Sequence, residues 1–424
     1  MFEQIEGSKA MARTIALCRP QVVCAYPITP QTHIVEGVGE LIRLGQLDNC
    51  EFINVESEFA ALSVAIGASA AGARAYTATA SQGLLFMAEA VYNAAGLGLP
   101  IVMTLGNRAI GAPINIWNDH SDAMALRESG WIQLFAESNQ EAADLHIIAF
   151  RLAEDLSVPC MVCVDGFILT HAVERIDIPD QASVDAYLPP YEPTQSLDPA
   201  DPISIGAMVG PDAFTEVRYL QYFKQHQALA LIEKLTGEFE SRFGRQAGGL
   251  LRTYEANDAE TLVVAMGSIN GTIKDVIDEM RADGLAIGLV TLVAFRPFPI
   301  QALRQALAHA RDVIVIDRAV DVGMGGPLAS NVAIALRALP DPPAMHSTIA
   351  GLGGRPIPKA SLHRLFRQAA IQPWDGPHFL DLNERVAANE IHRRGKTRRA
   401  GPAAEGILKQ VEEERVKKLV ETAR

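Results

Sequence analysis

The chain is short of cysteine and of positive charge, and it has no long unbroken apolar run. Its five cysteines, Cys18, Cys24, Cys50, Cys160 and Cys163, are odd in number and follow no regular spacing, which excludes a disulfide framework and fits reduced thiols. No run of the form C-x-x-C-x-x-C-x-x-x-C-P occurs, so the chain supplies no ordinary iron–sulfur cluster site. Thirty-seven basic residues against 50 acidic ones give a formal charge of −13, the wrong sign for a protein that condenses onto phosphate backbone. Nucleic acid is therefore excluded as the main ligand. The start, Met1-Phe2-Glu3-Gln4-Ile5-Glu6, has neither the basic cap nor the apolar core of a secretory signal, and a cytoplasmic protein is expected. The longest uncharged run, Ala90 to Asn107, has roughly the span of a membrane helix. Asn93, Gly96, Gly98 and Pro100 break it into a helix end, a turn and a strand start, so membrane insertion is not expected.

What is present is ordinary in bulk and patterned in detail. Apolar residues make up 49% of the 424 and charged residues 21%, enough to bury a sizeable core in about two domains. Between residues 20 and 165, short apolar runs alternate with longer segments of small and amphipathic residues, the pattern of β-α units around a mainly parallel sheet. Strands are expected at Val22 to Tyr26, Phe52 to Val55, Ala75 to Thr77, Ile101 to Leu105 and Cys160 to Val164. Helices are expected at Glu58 to Ala71 and at Ser81 to Ala95, with Ser81 as N-cap of the second. Cys160 and Cys163 lie inside an apolar run, so they are expected to pack in a strand rather than form a redox or metal pair. Ile176 to Pro202, rich in proline and aspartate, reads as a long excursion or linker, and Thr215 to Phe243 as a helix. A second series follows, with strands at Leu262 to Met266, Ile287 to Leu292 and Val313 to Ile316. Its helices fall near Thr272 to Met280, Ile300 to Ala310 and Leu328 to Leu339. This gives a first α/β domain over 1–240, a second over 250–370, and a polar arm over 371–424. The arm carries the basic cluster from His392 to Arg399 and a helical stretch from Ala404 to Arg424.

Parallel sheets bind ligands at the carboxyl ends of their strands, so the residues just after each strand are the candidates for chemistry. After the first strand, Tyr26-Pro27-Ile28-Thr29-Pro30 sets one hydroxyl between two prolines; Thr29 either faces a ligand or bonds within a rigid turn. Glu58 stands before fifteen uncharged residues, Phe59 to Ala73. It either stabilises a helix N-terminus or is a desolvated carboxyl of raised pKa, able to share a proton with a bound heterocycle. Thr77 to Gly83 and Asn107-Arg108-Ala109-Ile110 follow the next two strands. Arg108 could grip a carboxylate bidentately or be a plain surface arginine. Trp117-Asn118-Asp119-His120-Ser121-Asp122 admits metal ligation or acid–base work, and reads best as a hydrogen-bonded loop.

Taken together, Tyr26 to Pro30, the Glu58-centred helix start, Thr79-Ala80-Ser81-Gln82-Gly83, Asn107 to Ile110 and Trp117 to Asp122 closely resemble the α subunit of the 2-oxoacid:ferredoxin oxidoreductases, especially the pyruvate type. Gly267-Ser268 with Gly271-Thr272-Ile273-Lys274, Phe295-Arg296-Pro297-Phe298-Pro299 and Gly351-Leu352-Gly353-Gly354-Arg355 look like that family's transketolase-C-like domain. The resemblance covers roughly residues 5 to 370. It implies an α/β fold with a pyrimidine-type parallel-sheet domain that binds thiamine diphosphate, and a transketolase-C-like α/β domain. It implies oxidative decarboxylation of a 2-oxoacid, with electrons leaving through iron–sulfur clusters and the acyl group passing to coenzyme A. By the same resemblance Glu58 is the thiamine-activating glutamate, with Gly67 nine residues on, and Pro27 and Arg108 are its neighbours around the cofactor. Thr29 and Arg108 are the pair that hold the substrate's carboxylate and carbonyl oxygens. A carboxyl on the aminopyrimidine ring favours its imino tautomer, whose nitrogen can take the thiazolium proton.

Thiamine enzymes hold the diphosphate and Mg2+ with a Gly-Asp-Gly motif followed by asparagine, and no Gly-Asp-Gly occurs here. The resemblance therefore implies half an active site. The diphosphate and Mg2+ are expected on a β subunit, the [4Fe-4S] clusters on ferredoxin-like subunits beside a γ subunit, and the arm from Ile371 as a tether. Gly323-Met324-Gly325-Gly326 is faintly like a dinucleotide loop but lacks the third glycine spacing, so any NAD is expected on another subunit. Pyruvate is the default substrate, with branched or aromatic 2-oxoacids such as phenylglyoxylate as alternatives, and the acceptor is ferredoxin or NAD. Two other readings stand beside this one: a structural paralogue whose site has decayed, and a self-sufficient thiamine lyase or carboligase.

Overall fold

The computed structural model describes residues 2–369, 371, 374–397 and 400–422. Of the segments above, Met1, Ala370, Gln372, Pro373, Arg398, Arg399, Ala423 and Arg424 lie outside the described residues. The chain divides into two compact units, one reaching His378 and one beginning at Phe379.

The strands of the first unit come in two runs. The first run is β1 (Phe2–Glu6), β2 (Val22–Ala25), β3 (Glu51–Asn54), β4 (Ala75–Thr79), β5 (Val102–Asn107), β6 (Ile132–Phe135), β7 (Cys160–Asp165) and β8 (Val173–Asp177). The second is β9 (Leu251–Tyr254), β10 (Thr261–Ala265), β11 (Ile287–Leu292), β12 (Ala294–Arg296), β13 (Asp312–Asp317) and β14 (Ala344–Ile349). One sheet has the order β12-β6-β7-β5-β4-β2-β3, parallel except for β12. The other carries β14-β13-β10-β11-β9 in that order, parallel except for β9, and β1 and β8 form an antiparallel ribbon.

The central strands are apolar throughout because both faces are covered. In β7, Cys160, Val162 and Val164 enter one core while Met161 and Cys163 enter the other. Strand alternation thus puts the two thiols on opposite faces, where they cannot meet, and burial pushes both well up from the ordinary thiol value. One face is covered by helices Gly7–Leu17, Thr32–Arg43 and Asn139–Leu156 and the buried half of Phe214–Phe243. The opposite core joins helices Glu58–Ala70 and Ala88–Gly96 to Leu262, Val264, Val290 and Val313 of the second sheet, so the two sheets share one apolar interior.

Three local expectations are corrected. The helix expected over Ser81 to Ala95 breaks at Met87 into Ser81–Phe86 and Ala88–Gly96. Ser81 is not its N-cap: Ala80 holds that place, and Ser81 sits inside with φ +46 and its hydroxyl 2.5 Å from the Ala109 carbonyl. The Ile176 to Pro202 stretch is not bare linker, since it contains the end of β8 and a helix Gln181–Tyr187 capped by Asp180 onto Ser183 N–H.

The chain order fixes where a ligand crevice opens. From β2 the chain moves outward to β3, then crosses back so that β4 lies on the other flank of β2. The reversal point of an open parallel sheet leaves a gap between the loops that leave its strands, and here those loops are Tyr26–Pro30 after β2 and Ala80–Gly83 after β4.

The second unit has helices Glu384–Lys396 and Ala403–Thr422. Asn383 caps the first by accepting from Val386 N–H, and Glu390 pairs with Arg393 at 2.6 Å and Arg394 at 3.1 Å. The second exposes Ile407, Leu408, Val411, Val416, Leu419 and Val420. Among the described residues no helix is long and apolar enough to cross a membrane.

Candidate active site

Glu58 opens the helix that follows β3. The Ser57 hydroxyl caps this helix by accepting from Ala60 N–H at 3.2 Å, which leaves the Glu58 side chain free to turn toward the sheet edge. It is buried, 8% exposed, and rests against the main chain of Gly83. A Cβ on Gly83 would stand 2.7 Å from Glu58 Oε1 and 2.5 Å from Thr79 Oγ1, so only glycine admits this approach. The buried Thr79 hydroxyl has no hydrogen-bond partner among the described residues. A carboxyl, a spare hydroxyl and a cradle without a side chain thus meet at the reversal point, which suits a polar heterocycle.

Arg108 and Thr29 come together from the ends of β5 and β2. Arg108 Nη1 donates to the Thr29 carbonyl at 2.9 Å and Nε to the Asn115 carbonyl at 3.0 Å, while Nη2 has no partner among the described residues. The arginine is 7% exposed, and burial lowers its pKa from the ordinary value. No carboxylate lies within ion-pair distance of its guanidinium among the described residues, and the nearby Asp122 carboxyl partly offsets the effect of burial. Thr29 and Pro27 are both exposed in the chain alone. No hydrogen bond links Glu58 to Arg108 or Pro27 among the described residues; these three share an edge and not a network.

The Asp119–Asp122 loop is a hydrogen-bonded knot, as its sequence reads best, and among the described residues no group of three or more His, Cys, Asp or Glu could hold a metal ion. Asp119 accepts from Ser121 N–H and from Gly353 N–H, both at 3.0 Å. Asn115 donates to the Gly353 carbonyl at 3.1 Å. Gly354, at φ +77, lies so close that a Cβ would come within 2.4 Å of Trp117 Cβ. The glycine-rich turn Gly351-Leu352-Gly353-Gly354 is therefore a docking surface for the loop that leads from Arg108.

Three aspartates whose contacts the sequence did not disclose complete the frame. Asp122 accepts from Ser81, Arg108, Asn107 and Ala123. Its burial pushes the carboxyl up to about 6. Asp165, at the end of β7, accepts from His120 at 2.8 Å, Arg318 at 2.7 Å and Ser268 N–H at 2.8 Å. Burial disfavours its charge, yet Arg318 and His120 prevail and hold the carboxyl well below the usual range. Asp317 accepts from Leu328 N–H at 2.7 Å and Ala329 N–H at 3.0 Å, filling the helix N-terminus that a dinucleotide phosphate would need. The advance signal for Asp165 and Asp317 was a charge placed where an apolar strand stops, and for Asp122 its place in the polar cluster Trp117 to Asp122.

Known proteins bear directly on this arrangement. Residues 13–236 match the model of the pyruvate flavodoxin/ferredoxin oxidoreductase thiamine-diphosphate-binding domain, and residues 259–361 match core domain II of pyruvate:ferredoxin oxidoreductase. Pyruvate synthase subunit PorA of Methanosarcina barkeri is 45% identical over 390 residues, covering 90% of this chain and 97% of that protein. The chain belongs to the pyruvate flavodoxin/ferredoxin oxidoreductase family. Within that family it is an α subunit of a 2-oxoacid:ferredoxin oxidoreductase, an enzyme that works as a complex. Pyruvate synthase subunit PorA of Thermotoga maritima is 43% identical, covering 86% of this chain and 93% of that one. Ketoisovalerate oxidoreductase subunit VorA of Pyrococcus abyssi is 40% identical, covering 83% and 89%. The family fold also extends to a solved 2-oxoglutarate:ferredoxin oxidoreductase from Magnetococcus marinus with 2-oxoglutarate, coenzyme A and succinyl-CoA bound. It aligns with TM-score 0.66 at 17% identity, over 87% of this chain and 65% of that one, a likeness of fold.

Proposed function

We propose that the chain carries the pyrimidine half of a thiamine diphosphate site and converts pyruvate, or a near 2-oxoacid, to acyl-CoA and CO2 within a heteromeric complex. Electrons leave through iron–sulfur subunits to ferredoxin. The observation that carries this reading is Arg108: a largely buried guanidinium with no carboxylate in ion-pair reach among the described residues and one nitrogen uncommitted, extending from β5 to the Thr29 carbonyl in the loop at the reversal point of the sheet. A small anionic substrate supplies what it lacks. The relatives named for pyruvate and ketoisovalerate are 45% and 40% identical to this chain, over 97% and 89% of their own length, which supports this reading.

Thiamine diphosphate, when bound, supplies the nucleophilic carbon and the electron sink for decarboxylation. Glu58 would hold its pyrimidine ring through a hydrogen bond and share the proton there, Thr79 offers the spare hydroxyl beside it, and Pro27 lines the approach. Arg108 and Thr29 would hold the carboxylate and carbonyl oxygens of the 2-oxoacid. The diphosphate and Mg2+ fall to a partner subunit. This follows from the missing Gly-Asp-Gly and from the helix after Glu58, whose outward stripe of Phe59, Ser63 and Gly67 is uncharged and exposed in the chain alone. Phe86, Ile114 and Trp117 are exposed around the same edge, where a neighbouring subunit would cover them.

Replacing Glu58 with Gln in the assembled complex should lower 2-oxoacid-dependent dye reduction by about 10²- to 10⁴-fold, with the subunits still co-purifying. Near-normal turnover would remove the proton role. The same assay run with pyruvate, branched 2-oxoacids and phenylglyoxylate, and with ferredoxin and NAD, assigns substrate and acceptor.

A further inference from the structure

We infer that Asp122 is a positioning residue that sets both halves of the site at once, placing Arg108 for the substrate and the Ser81–Gly83 turn beneath Glu58. This inference rests on the reading of Arg108 and Glu58 given above. Its carboxylate is fully buried and accepts four donors from three segments. Ser81 N–H and Arg108 N–H reach Oδ2, each at 3.0 Å. Asn107 Nδ2 and Ala123 N–H reach Oδ1 at 2.9 and 2.8 Å. One side chain therefore pins the turn after β4, the end of β5 and the helix Ser121–Ala125.

Each bond lands on a residue next to the chemistry. The bond to Arg108 fixes the main chain from which the guanidinium extends. Ser81 is held at φ +46, a conformation that a serine keeps only when its surroundings over-determine it. Asp122 takes its N–H, and its hydroxyl lies 2.5 Å from the Ala109 carbonyl, so it is held from both sides. Two residues on is Gly83, the surface against which the Glu58 carboxyl rests. If Ser81 relaxed to the ordinary helical region, that surface would move.

The geometry also dictates which substitution is informative. Asparagine has the shape of aspartate but presents an NH2 on one side, so either the Ser81 and Arg108 pair or the Asn107 and Ala123 pair would face donor against donor. Asp122→Asn in the assembled complex should raise the 2-oxoacid KM by about tenfold or more, since misplacement of an orienting group weakens substrate capture. The coenzyme A KM should stay within about twofold, as a group remote from that cosubstrate leaves its binding unchanged. The deciding readout is a double-mutant cycle with Arg108→Lys. If Asp122 acts through Arg108, adding Asp122→Asn to Arg108→Lys should change the 2-oxoacid KM by less than about threefold. Should Asp122→Asn fail to assemble, Asn107→Ala, which removes one donor and keeps the carboxylate, should give a smaller KM rise that again vanishes in the Arg108→Lys background.

Effects that multiply would overturn the inference and leave Asp122 a support of the fold. An unchanged 2-oxoacid KM in Asp122→Asn, or in Asn107→Ala where that variant is used, would overturn it equally. An Arg108→Lys complex with wild-type KM marks the other failure, in which the assignment of Arg108 itself is wrong and the inference falls with it.

Discussion

Gly83 decides where the Glu58 carboxyl sits. A methyl there would need the space held by Glu58 Oε1, Glu58 Cγ and Thr79 Oγ1, all within 2.9 Å of its position. The carboxyl is the movable party, so Gly83→Ala should displace it and lower kcat for 2-oxoacid-dependent dye reduction by about tenfold or more, because orientation carries much of the barrier. Thermal unfolding of the variant complex checks that assembly survives, and wild-type turnover would contradict the cradle. At this scale the sequence discloses residue types and not their bonds. Glu58, Thr29 and Arg108 could be singled out because each follows a strand. The reach of Asp122 could not: two of its key partners are main-chain N–H groups, 41 and 14 residues away, and a main-chain donor leaves no mark in composition. Ser81 misleads for a related reason. Serine before an apolar run is an N-cap signal, but here Asp122 has taken its N–H and the neighbourhood of the Ala109 carbonyl its hydroxyl.

Between elements, the joint that matters is the end of β7. Asp165, His120 and Arg318 are all nearly inaccessible, and with Ser268 they tie the first sheet to the loops after β10 and β13. Replacing Asp165 with Asn leaves Arg318 buried without a counter-charge, and such a loss costs about 3–5 kcal/mol, read by denaturant unfolding of the full chain. The pH sign follows from the lowered carboxyl. A group whose pKa falls on folding contributes stability above its unfolded value of 3.8 and loses it only as pH drops through the folded value. With His120 replaced by Gln in both chains, so that no imidazole titrates beside it, the gap between the parent and Asp165→Asn should therefore stay flat from pH 8 to pH 5; a gap that closes toward pH 5 would show that Asp165 and Arg318 are not ionised as described. The long buried strands announce themselves by unbroken apolar runs. β6 and β12 do not, having four and three residues, and β12 follows β11 after Val293 alone before turning to the other sheet. Its pairing with β6 is a tertiary choice invisible to local pattern.

At the scale of the whole molecule, the proposal is that this chain carries half of an active site. The chain has a carboxyl cradle and a buried arginine at the carboxyl edge of a parallel sheet, and Phe59, Phe86, Ile114 and Trp117 are exposed. The sheet was legible, because the β-α alternation predicts it, whereas the partner-borne diphosphate half is an expectation that the resemblance carries. The continuity of the two sheets through one apolar core was not legible, because residues as far apart in sequence as Met103 and Leu262 join the same core only in three dimensions. The most direct test is calorimetric titration of thiamine diphosphate with Mg2+ into the full chain alone and into the chain reconstituted with its partner subunits. The account predicts no tight binding by the chain alone and tight binding, weakened in Glu58→Gln, once the partners are present. Tight Mg2+-dependent binding by the isolated chain would contradict it.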